Sequence, residues 1–367
     1  MINPLVELQT FGQSFWYDNI RRQFLNDGTI ASLIEWDGLL GITSNPSIFE
    51  KAIGNSDDYD GQLTQLAKSS LDAEQIYEAL ALADIQQACD LFADIYEKTG
   101  RKDGFVSLEV SPHLAHDTEG TVAAARRLYR AVARPNVMIK VPATAAGIPA
   151  IEQLIGEGIN INITLMFSMA HYEAVAQAYC KGLAHWLAQG GDAGAVASVA
   201  SFFVSRVDTA VDEQLVNHDN PIAAILLGKT AVSNCKIVYQ RFLEIFHGPD
   251  FADLAAAGGH VQRLLWASTS TKNPAYSETV YIDELIGRQT VNTIPPQTVD
   301  AFRGRGTVAP TLTANVEQAR HILDQLAELA IDLEAITEQL QVEGVDAFAR
   351  SFDSLLATIE QKREVLS

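Results

Sequence analysis

The chain has 367 residues, of which 47% are hydrophobic and 20% are charged, a composition typical of a globular protein. Its formal net charge is −20, from 46 acidic against 26 basic residues, which disfavours binding to nucleic acid or to an anionic membrane. A phosphorylated small molecule would therefore need a locally basic pocket.

Short runs rich in β-branched and aromatic residues alternate with longer stretches of helical periodicity. In chain order the strand-like runs are SFWYD (14–18), GITSN (41–45), GFVSLEVS (104–111), NVMIKVPA (136–143), INITLMFS (161–168), AVASVASFFVS (195–205), VQRLLWAST (261–269) and TVNTIP (290–295). Between the second and third runs, apolar residues from Leu82 to Ile95 recur at steps of three and four, and Lys98 and Gly100 mark a helix end.

Eight β/α units in succession predict an α/β protein whose parallel strands close into a (β/α)8 TIM barrel. An open, doubly wound sheet is the alternative, but no Gly-x-Gly-x-x-Gly follows the first strand. From about Thr311 the pattern is helical throughout, and Val345, Phe348, Phe352, Leu355 and Ile359 form one apolar stripe. We expect residues 1–367 to form a single barrel domain whose C-terminal helices pack outside the barrel or over one end.

Polar residues interrupt the apolar runs near their carboxyl ends, where the active sites of such barrels lie. These residues are Asp18, Thr43, Asn45, Ser107, Glu109, Lys140, Asn162, Thr164, Ser201 and Ser268. Within each run the paired members stand two residues apart, so both side chains point to the same face of the strand. The pattern predicts one polar cluster inside the barrel.

Lys140 raises the sharpest question, because it stands in the middle of the apolar run NVMIKVPA. A buried lysine is either ion-paired or gives up its proton, and a neutral lysine is a nucleophile. Asp18 and Glu109 are candidate partners for a purely structural ion pair, and a strand Thr or Asn is often a hydrogen-bonded core residue. Burying so many polar groups for structure alone is expensive, so the cluster favours a functional site.

Several motifs together resemble the transaldolase family, in its longer bacterial and plant-type branch. They are GITSNPSIFEKAI (41–53), VSLEVSPHLAHDT (106–118), VMIKVPATAAGIPAIEQL (137–154), GININITLMFS (158–168) and VASFFVSRVDTAVD (199–212). The resemblance extends from about residue 12 to about residue 300. It implies that Lys140 forms a Schiff base, that Asp18 is the acid/base, and that Glu109 and Thr164 hold a catalytic water.

The residues that we expect to bind substrate are Thr43, Asn45, Asn162, Ser201, Phe203, Arg206, Ser268 and Lys272. The resemblance assigns Asn45, Asn162 and Ser201 to the dihydroxyacetone part of a sugar. It assigns Arg206 and Ser268 to phosphate.

One position departs from the commonest family pattern, which has an arginine two residues after the serine matched by Ser268. Here that position is Ser270, and nearby Lys272 is a candidate substitute. Arg206 also has an alternative interpretation, as a helix-start arginine paired with Asp208 or Asp212.

The resemblance implies transfer of dihydroxyacetone from sedoheptulose 7-phosphate or fructose 6-phosphate to glyceraldehyde 3-phosphate or erythrose 4-phosphate, in the non-oxidative pentose phosphate pathway. Two alternatives stay open: a Schiff-base sugar-phosphate aldolase and a non-catalytic barrel that binds sugar phosphates. The shorter aldolase relatives have tyrosine where Phe203 falls and glutamine where Glu109 falls, so both residues favour transfer.

We expect no metal or organic cofactor, because a protonated imine is itself an electron sink. His113 and His116 form a His-x-x-His pair, but no other ligands complete a metal site. Three cysteines far apart in sequence suggest reduced thiols and a cytoplasmic location. The sequence begins without a basic leader and apolar stretch and has no span of ~20 apolar residues, so we expect no signal peptide or membrane segment. Sugar phosphates are the expected partners of a monomer or homodimer.

Overall fold

Eight parallel strands form a closed barrel in the order of the sequence, as the computed structural model of residues 3–366 shows. They are β1 (Gln13–Tyr17), β2 (Gly41–Ile42), β3 (Phe105–Glu109), β4 (Val137–Pro142), β5 (Ile161–Met166), β6 (Ser198–Phe203), β7 (Arg263–Ala267) and β8 (Thr290–Ile294). The first strand pairs with the last along its whole length, from Gln13 beside Thr290 to Tyr17 beside Ile294. The predicted barrel is therefore confirmed, and the open sheet is excluded.

Helices connect the strands and cover the outside of the barrel. They are α1 (Pro4–Glu7), α2 (Arg22–Asn26), α3 (Thr29–Asp37), α4 (Pro46–Gly54), α5 (Asp60–Leu66), α6 (Ala73–Lys98), α7 (Thr118–Val132), α8 (Gly147–Ile155), α9 (Met169–Ala188), α10 (Ser205–Val216), α11 (Pro221–Leu226), α12 (Thr230–Phe246), α13 (Ala252–Ala256), α14 (Val280–Asp283), α15 (Pro296–Arg305), α16 (Val316–Glu328) and α17 (Leu333–Leu366). Short 3₁₀ turns lie at Leu8–Phe11, Pro112–Leu114, Ala193–Ala195 and Pro249–Phe251. Among residues 3–366, no helix is long and apolar enough to cross a membrane.

The second strand is shorter than the run GITSN predicts. After Ile42 the chain leaves the sheet, and Asn45 becomes the N-cap of α4: its side-chain oxygen accepts a hydrogen bond of 3.0 Å from the backbone N–H of Ile48. Pro46 follows at the first helical position, where its fixed φ favours a helix start. Thr43 and Asn45 therefore lie just beyond the strand, at the carboxyl end of the barrel.

An ion-pair network fills the opposite, amino-terminal end of the barrel. Arg263 Nη2 lies 3.0 Å from Asp103 Oδ1, and the same carboxylate accepts hydrogen bonds from Trp16 Nε1 at 2.9 Å and from Ser14 at 2.8 Å. These side chains satisfy one another, so this end of the barrel is closed by paired polar groups and does not resemble an open site.

The C-terminal helices take both of the positions that the sequence offers as alternatives. Helix α16 packs on the outside, against α12, whereas α17 crosses the carboxyl end of the barrel. The predicted apolar stripe of α17 is buried. Gln341 fastens this helix by donating hydrogen bonds of 3.0 Å to the carbonyl oxygens of Ala143 and Leu165, the latter at a bulge in β5 where Leu165 has a φ of +61°.

Candidate active site

A cavity of about 570 Å³ opens at the carboxyl ends of the strands, beside α17. We call it the main cavity. Of the residues that the sequence predicts for the site, those lining it are Asp18, Thr43, Asn45, Lys140, Thr164, Ser201, Phe203, Arg206, Ser268 and Lys272. Glu109 and Asn162 lie directly behind this lining. The structure thus brings the predicted residues together from seven of the eight strands and the loops that follow them.

Lys140 lies at the wall of the main cavity, with a side chain that is only 6% exposed. Its Nζ donates a hydrogen bond of 3.0 Å to the carbonyl oxygen of Ser44 and lies 3.1 Å from Glu109 Oε2. Lys140 and Glu109 stand side by side in the register of β3 and β4, and this places both side chains on the same face of the sheet. The amine and this carboxyl group are therefore in ion-pair contact, although Oε2 accepts no hydrogen bond of good geometry within residues 3–366.

Burial raises the pKa of Glu109, and the nearby charge of Asp18 raises it further. The Lys140 ammonium opposes this shift, by its charge and by its contact with the carboxylate. A carboxyl group with a raised pKa exchanges protons closer to neutral pH than an ordinary glutamate does. This property suits a group that must both accept and return a proton.

Asp18 follows β1 and is held by a chain of hydroxyl groups. Thr43 Oγ1 donates a hydrogen bond of 2.7 Å to Asp18 Oδ1, and Thr293 Oγ1 lies 2.6 Å from Thr43 Oγ1. Because Thr43 donates its proton to Asp18, Thr293 is the donor to Thr43. Burial raises the pKa of Asp18, and the hydrogen bond from Thr43 and the charge of Lys140 partly offset this rise. Asp18 is thus fixed in orientation at the cavity wall.

Two strands supply hydroxyl and amide groups near Lys140. The hydroxyl of Thr164 is buried and has no hydrogen-bond partner among residues 3–366, so it is free to bind a ligand or a water. Asn162 is fully buried and does not line the main cavity. Its amide oxygen accepts a hydrogen bond of 2.6 Å from Ser201, and its amide nitrogen donates one of 2.9 Å to Ser107.

Apart from Lys140 and from Arg21, which is paired with Asp58, three cationic side chains line the main cavity: Arg206, Lys272 and Lys51. Within the described chain, no carboxylate lies within 4.0 Å of any of them. Burial lowers the pKa of Lys272, the charges of Arg206 and Lys51 lower it further, and Asp18 opposes the shift. Three like charges grouped without acidic partners favour the binding of an anion over that of a cation.

Arg206 does lie in the first turn of α10, as its alternative interpretation has it, but the ion pair with Asp208 or Asp212 is absent because both carboxylates are otherwise engaged. Asp208 accepts hydrogen bonds from Ala231 N at 2.7 Å and from the Tyr281 hydroxyl at 2.8 Å. Asp212 has corresponding partners in the Gly228 N–H, at 2.9 Å, and the hydroxyl of Tyr276, at 2.7 Å. The Arg206 guanidinium instead lies over the ring of Phe203, 5.8 Å from its centroid.

Ser270, which stands where the commonest family pattern has arginine, contacts the candidate substitute. Lys272 Nζ donates a hydrogen bond of 2.7 Å to Ser270 Oγ. The loop that carries both residues begins at Ser268, whose hydroxyl lies 2.9 Å from that of Ser205 at the start of α10. Later in the same loop, the Tyr276 hydroxyl donates a hydrogen bond to Asp212 of α10. The loop is therefore attached at two points to α10, the helix that carries Arg206.

Sequence reasoning missed four residues of the site: Ser44, Lys51, Thr293 and Phe348. Lys51 lies in the motif GITSNPSIFEKAI, but it stands six positions after Asn45, which is not the spacing of one helix face, so no local pattern marked it. Phe348 was assigned to an apolar stripe, yet its ring lies 5.9 Å from Lys140 Nζ. The carbonyl of Ser44 left no signal, since backbone acceptors are the same in every residue.

The described residues contain no cluster of three or more His, Cys, Asp or Glu side chains suited to a metal ion. His113 of the His-x-x-His pair contacts Asp353 of α17 instead, at 2.8 Å. All three cysteines are free thiols.

The fold and cavity define a (β/α)8 barrel whose polar site lies at the carboxyl ends of its strands, with a lysine and a glutamate in contact at its wall. Residues 15–359 match the family described as transaldolase/fructose-6-phosphate aldolase. The chain is 44% identical to Transaldolase 2 of Nostoc sp., over 100% of this chain and 99% of that protein. It is 46% identical to the transaldolase of Thiobacillus denitrificans, over 98% and 100% of the two chains, and 45% identical to that of Neisseria gonorrhoeae, over 97% and 99%. The protein belongs to the transaldolase/fructose-6-phosphate aldolase family.

Proposed function

We propose that this protein is a transaldolase, a transferase that moves a dihydroxyacetone unit from a ketose phosphate to an aldose phosphate. The observation that carries the proposal is the contact of 3.1 Å between Lys140 and Glu109, at the wall of a cavity that is also lined by Asp18 and by the three cationic side chains without a carboxylate partner. The donors are sedoheptulose 7-phosphate or fructose 6-phosphate, and the acceptors are glyceraldehyde 3-phosphate or erythrose 4-phosphate. The reaction belongs to the non-oxidative pentose phosphate pathway.

The first step is formation of a Schiff base on Lys140. The Lys140 ammonium gives a proton to Glu109, and the neutral amine attacks the C2 carbonyl of the ketose. A proton then passes from the nitrogen to the new alkoxide oxygen, so that a carbinolamine forms. Glu109 then protonates the C2 hydroxyl, the nitrogen lone pair forms the C=N bond, and water leaves. Thr164, whose hydroxyl has no other partner in the described chain, orients that water. A contact of 3.1 Å is within reach for direct proton transfer.

The second step breaks the bond between C3 and C4. The Asp18 carboxylate removes the proton of the C4 hydroxyl, and the electrons of the C3–C4 bond move into the protonated imine. An aldose phosphate leaves, and a three-carbon enamine stays on Lys140. The hydrogen bond from Thr43 supports this role, because it favours the carboxylate form of Asp18.

The remaining steps reverse this sequence with a second aldose. The enamine attacks the aldehyde carbon, Asp18 returns its proton to the new alkoxide, and Glu109 activates water to hydrolyse the imine. Ser201 and Asn45 bind the hydroxyl groups of the three-carbon unit, and Asn162 holds Ser201 in place. Arg206, Lys272, Lys51 and Ser268 bind the phosphate, with the guanidinium giving a directed, bidentate grip.

The test is a coupled assay that follows erythrose 4-phosphate formation from sedoheptulose 7-phosphate and glyceraldehyde 3-phosphate. We expect formation to require both substrates. Release of free dihydroxyacetone from fructose 6-phosphate without an acceptor, at a rate matching transfer, would instead identify an aldolase. Binding of sugar phosphates without turnover would identify a non-catalytic barrel. We propose a cytoplasmic location, which the three free cysteines support.

A further inference from the structure

A second, smaller cavity lies on the far side of Glu109 from the main cavity. It has a volume of about 60 Å³, and we call it the side cavity. Its lining includes Tyr77 and Glu78 of α6, Ala124 and Arg127 of α7, Glu109 of β3, and Phe352 of α17. At ~30 Å³ per molecule this space holds about two waters, and its lining offers them hydroxyl and carboxyl partners.

The Lys140–Glu109 pair forms the partition between the two cavities. Lys140 lines the main cavity and not the side cavity, whereas Glu109 lines the side cavity and not the main one. The Glu109 side chain is 6% exposed as a whole, whereas its Oε2 atom, which contacts Lys140, is fully buried. The carboxyl group thus faces the amine on one side and a small polar space on the other.

The lining of the side cavity also includes the hydroxyl of Tyr77, which has no hydrogen-bond partner among the described residues. Tyr77 is buried, packs edge-to-face against Phe49 and Phe352, and makes no side-chain hydrogen bond with any other residue in 3–366. A buried tyrosine hydroxyl normally finds a partner, so a water in this space would satisfy it. At the outer end of the cavity Glu78 and Arg127 form an ion pair, in which the arginine side chain is 56% exposed.

We propose that the side cavity is a separate water route between Glu109 and the surface, passing between α6 and α7. The inference rests on the proposed function. When the Schiff base forms, the C2–O bond breaks and the oxygen takes a proton from Glu109. One water is then released between Thr164 and Glu109, on the main-cavity side, and it enters the side cavity by passing the Glu109 carboxyl group. The sugar phosphate then occupies the main cavity, so an exit that avoids this cavity lets the water leave and lets a new one return for hydrolysis.

Filling the side cavity tests this route. Ala124 lines it, and Ala124→Leu would occupy part of its volume without touching the main cavity. Ala123→Leu is the matched control, because Ala123 stands on the same helix but faces solvent. Ala124→Val, which adds less volume, is the second variant if Ala124→Leu does not fold.

The measurement compares two isotope exchanges in fructose 6-phosphate, in H₂¹⁸O with excess labelled glyceraldehyde 3-phosphate to keep the main cavity occupied. Carbon label entering fructose 6-phosphate counts the catalytic cycles. Oxygen label at C2, corrected for exchange without protein, counts the cycles in which the released water was replaced. We expect the oxygen-to-carbon ratio to fall about twofold or more in Ala124→Leu, with KM unchanged and with the wild-type ratio in Ala123→Leu.

The outcomes separate this inference from the proposed function. Normal carbon exchange with an unchanged oxygen-to-carbon ratio in folded Ala124→Leu or Ala124→Val would overturn the water route alone. A ratio that fell equally in Ala123→Leu would do the same, because that change leaves the side cavity open. Absence of carbon exchange in the wild-type protein would overturn the proposed function and the route with it.

Discussion

The ring of Phe348, from the last helix, lies 5.9 Å from the Nζ of Lys140, from the fourth strand. These residues are far apart in the sequence, and the contact shows that α17 is part of the site and not only a cover for the outside of the barrel. The aromatic face attracts the ammonium form and shields one side of the amine from water.

Replacing Phe348 with alanine should increase the share of cycles in which the enamine on Lys140 is lost as free dihydroxyacetone. The ring excludes water from the reacting nitrogen, and alanine would admit it. Phe348→Leu, which keeps an apolar side chain, should lie closer to the wild type. The measurement is the ratio of released dihydroxyacetone to transferred product. Equal ratios in all three proteins would show that the ring does not protect the intermediate.

Lys140 should be the lysine that borohydride traps in the presence of fructose 6-phosphate. Mass spectrometry of the digested protein should find the reduced three-carbon adduct on the peptide that contains Lys140, and Lys140→Met should abolish it. Lys236 provides the control, because it is equally buried and lies 3.1 Å from Glu284, but does not line the main cavity. In the Lys236→Met protein, borohydride should still trap the adduct on Lys140. An adduct on any other lysine would contradict the proposed chemistry.

Asp18→Asn should slow C–C bond cleavage by ~10²-fold or more, the usual scale for a positioned general base. Trapping at Lys140 should survive, since that step depends on Glu109. The pKa of Asp18 is raised by burial, so the acid limb of kcat/KM should lie above the ordinary aspartate value of ~3.9.

The Thr43→Val variant tests whether Asp18 or another carboxyl group produces the acid limb of kcat/KM. It removes a hydrogen bond that favours the carboxylate of Asp18, so the pKa of Asp18 should rise and the acid limb should move to higher pH. An acid limb that stays in place would point to Glu109, whose pKa is also raised.

Arg206→Ala, Lys272→Ala and Lys51→Ala should each raise KM for sugar phosphates more than for dihydroxyacetone, which has no phosphate. A hydrogen bond to a charged group contributes about 1.5–3 kcal/mol, so we expect increases of roughly ten- to a hundredfold, largest for Arg206. Lys68→Ala, an exposed lysine outside the main cavity, should leave KM unchanged. Equal losses on both kinds of substrate would indicate a structural role instead.

Gln341→Leu should lower the free energy of unfolding by about 1–3 kcal/mol, because it leaves the buried carbonyl groups of Ala143 and Leu165 without their donor. Gln339→Leu is the matched control, since Gln339 is exposed and bonds only to Glu343 on the same helix. Urea unfolding of both variants gives the comparison. A loss no larger than that of the control would mean that apolar packing alone holds α17.

The contact between Lys140 and Glu109 was predictable in principle, because sequential strands are neighbours in a barrel and parity places both side chains inside. The bulge at Leu165 was not predictable, since nothing in the run INITLMFS marks the residue that adopts a positive φ. Phe348 was recognised as buried, but periodicity cannot say what a buried face covers. That depends on where a helix docks, which is set by contacts distant in sequence.

The residues that follow β2 likewise include one feature that the sequence predicts and one that it does not. Asn45 as a helix cap followed by Pro46 is a local pattern that the sequence displays directly. The distance between Lys51 and the loop carrying Lys272 is instead set by the separation of β2 and β7 around the barrel, which no local pattern contains. The identity of the third cation therefore became visible only in the folded chain.

Arg206, Lys272 and Lys51 form a small positive area on a chain whose net charge is −20, so we expect the electrostatic potential to change sign close to the opening of the main cavity. A doubly charged sugar phosphate is repelled at long range and attracted only within about a Debye length, ~8 Å at physiological ionic strength. Added salt screens both effects. The association rate of such a ligand should consequently respond weakly to salt, while its residence time shortens, so ionic strength would govern how long a substrate stays more than how fast it arrives.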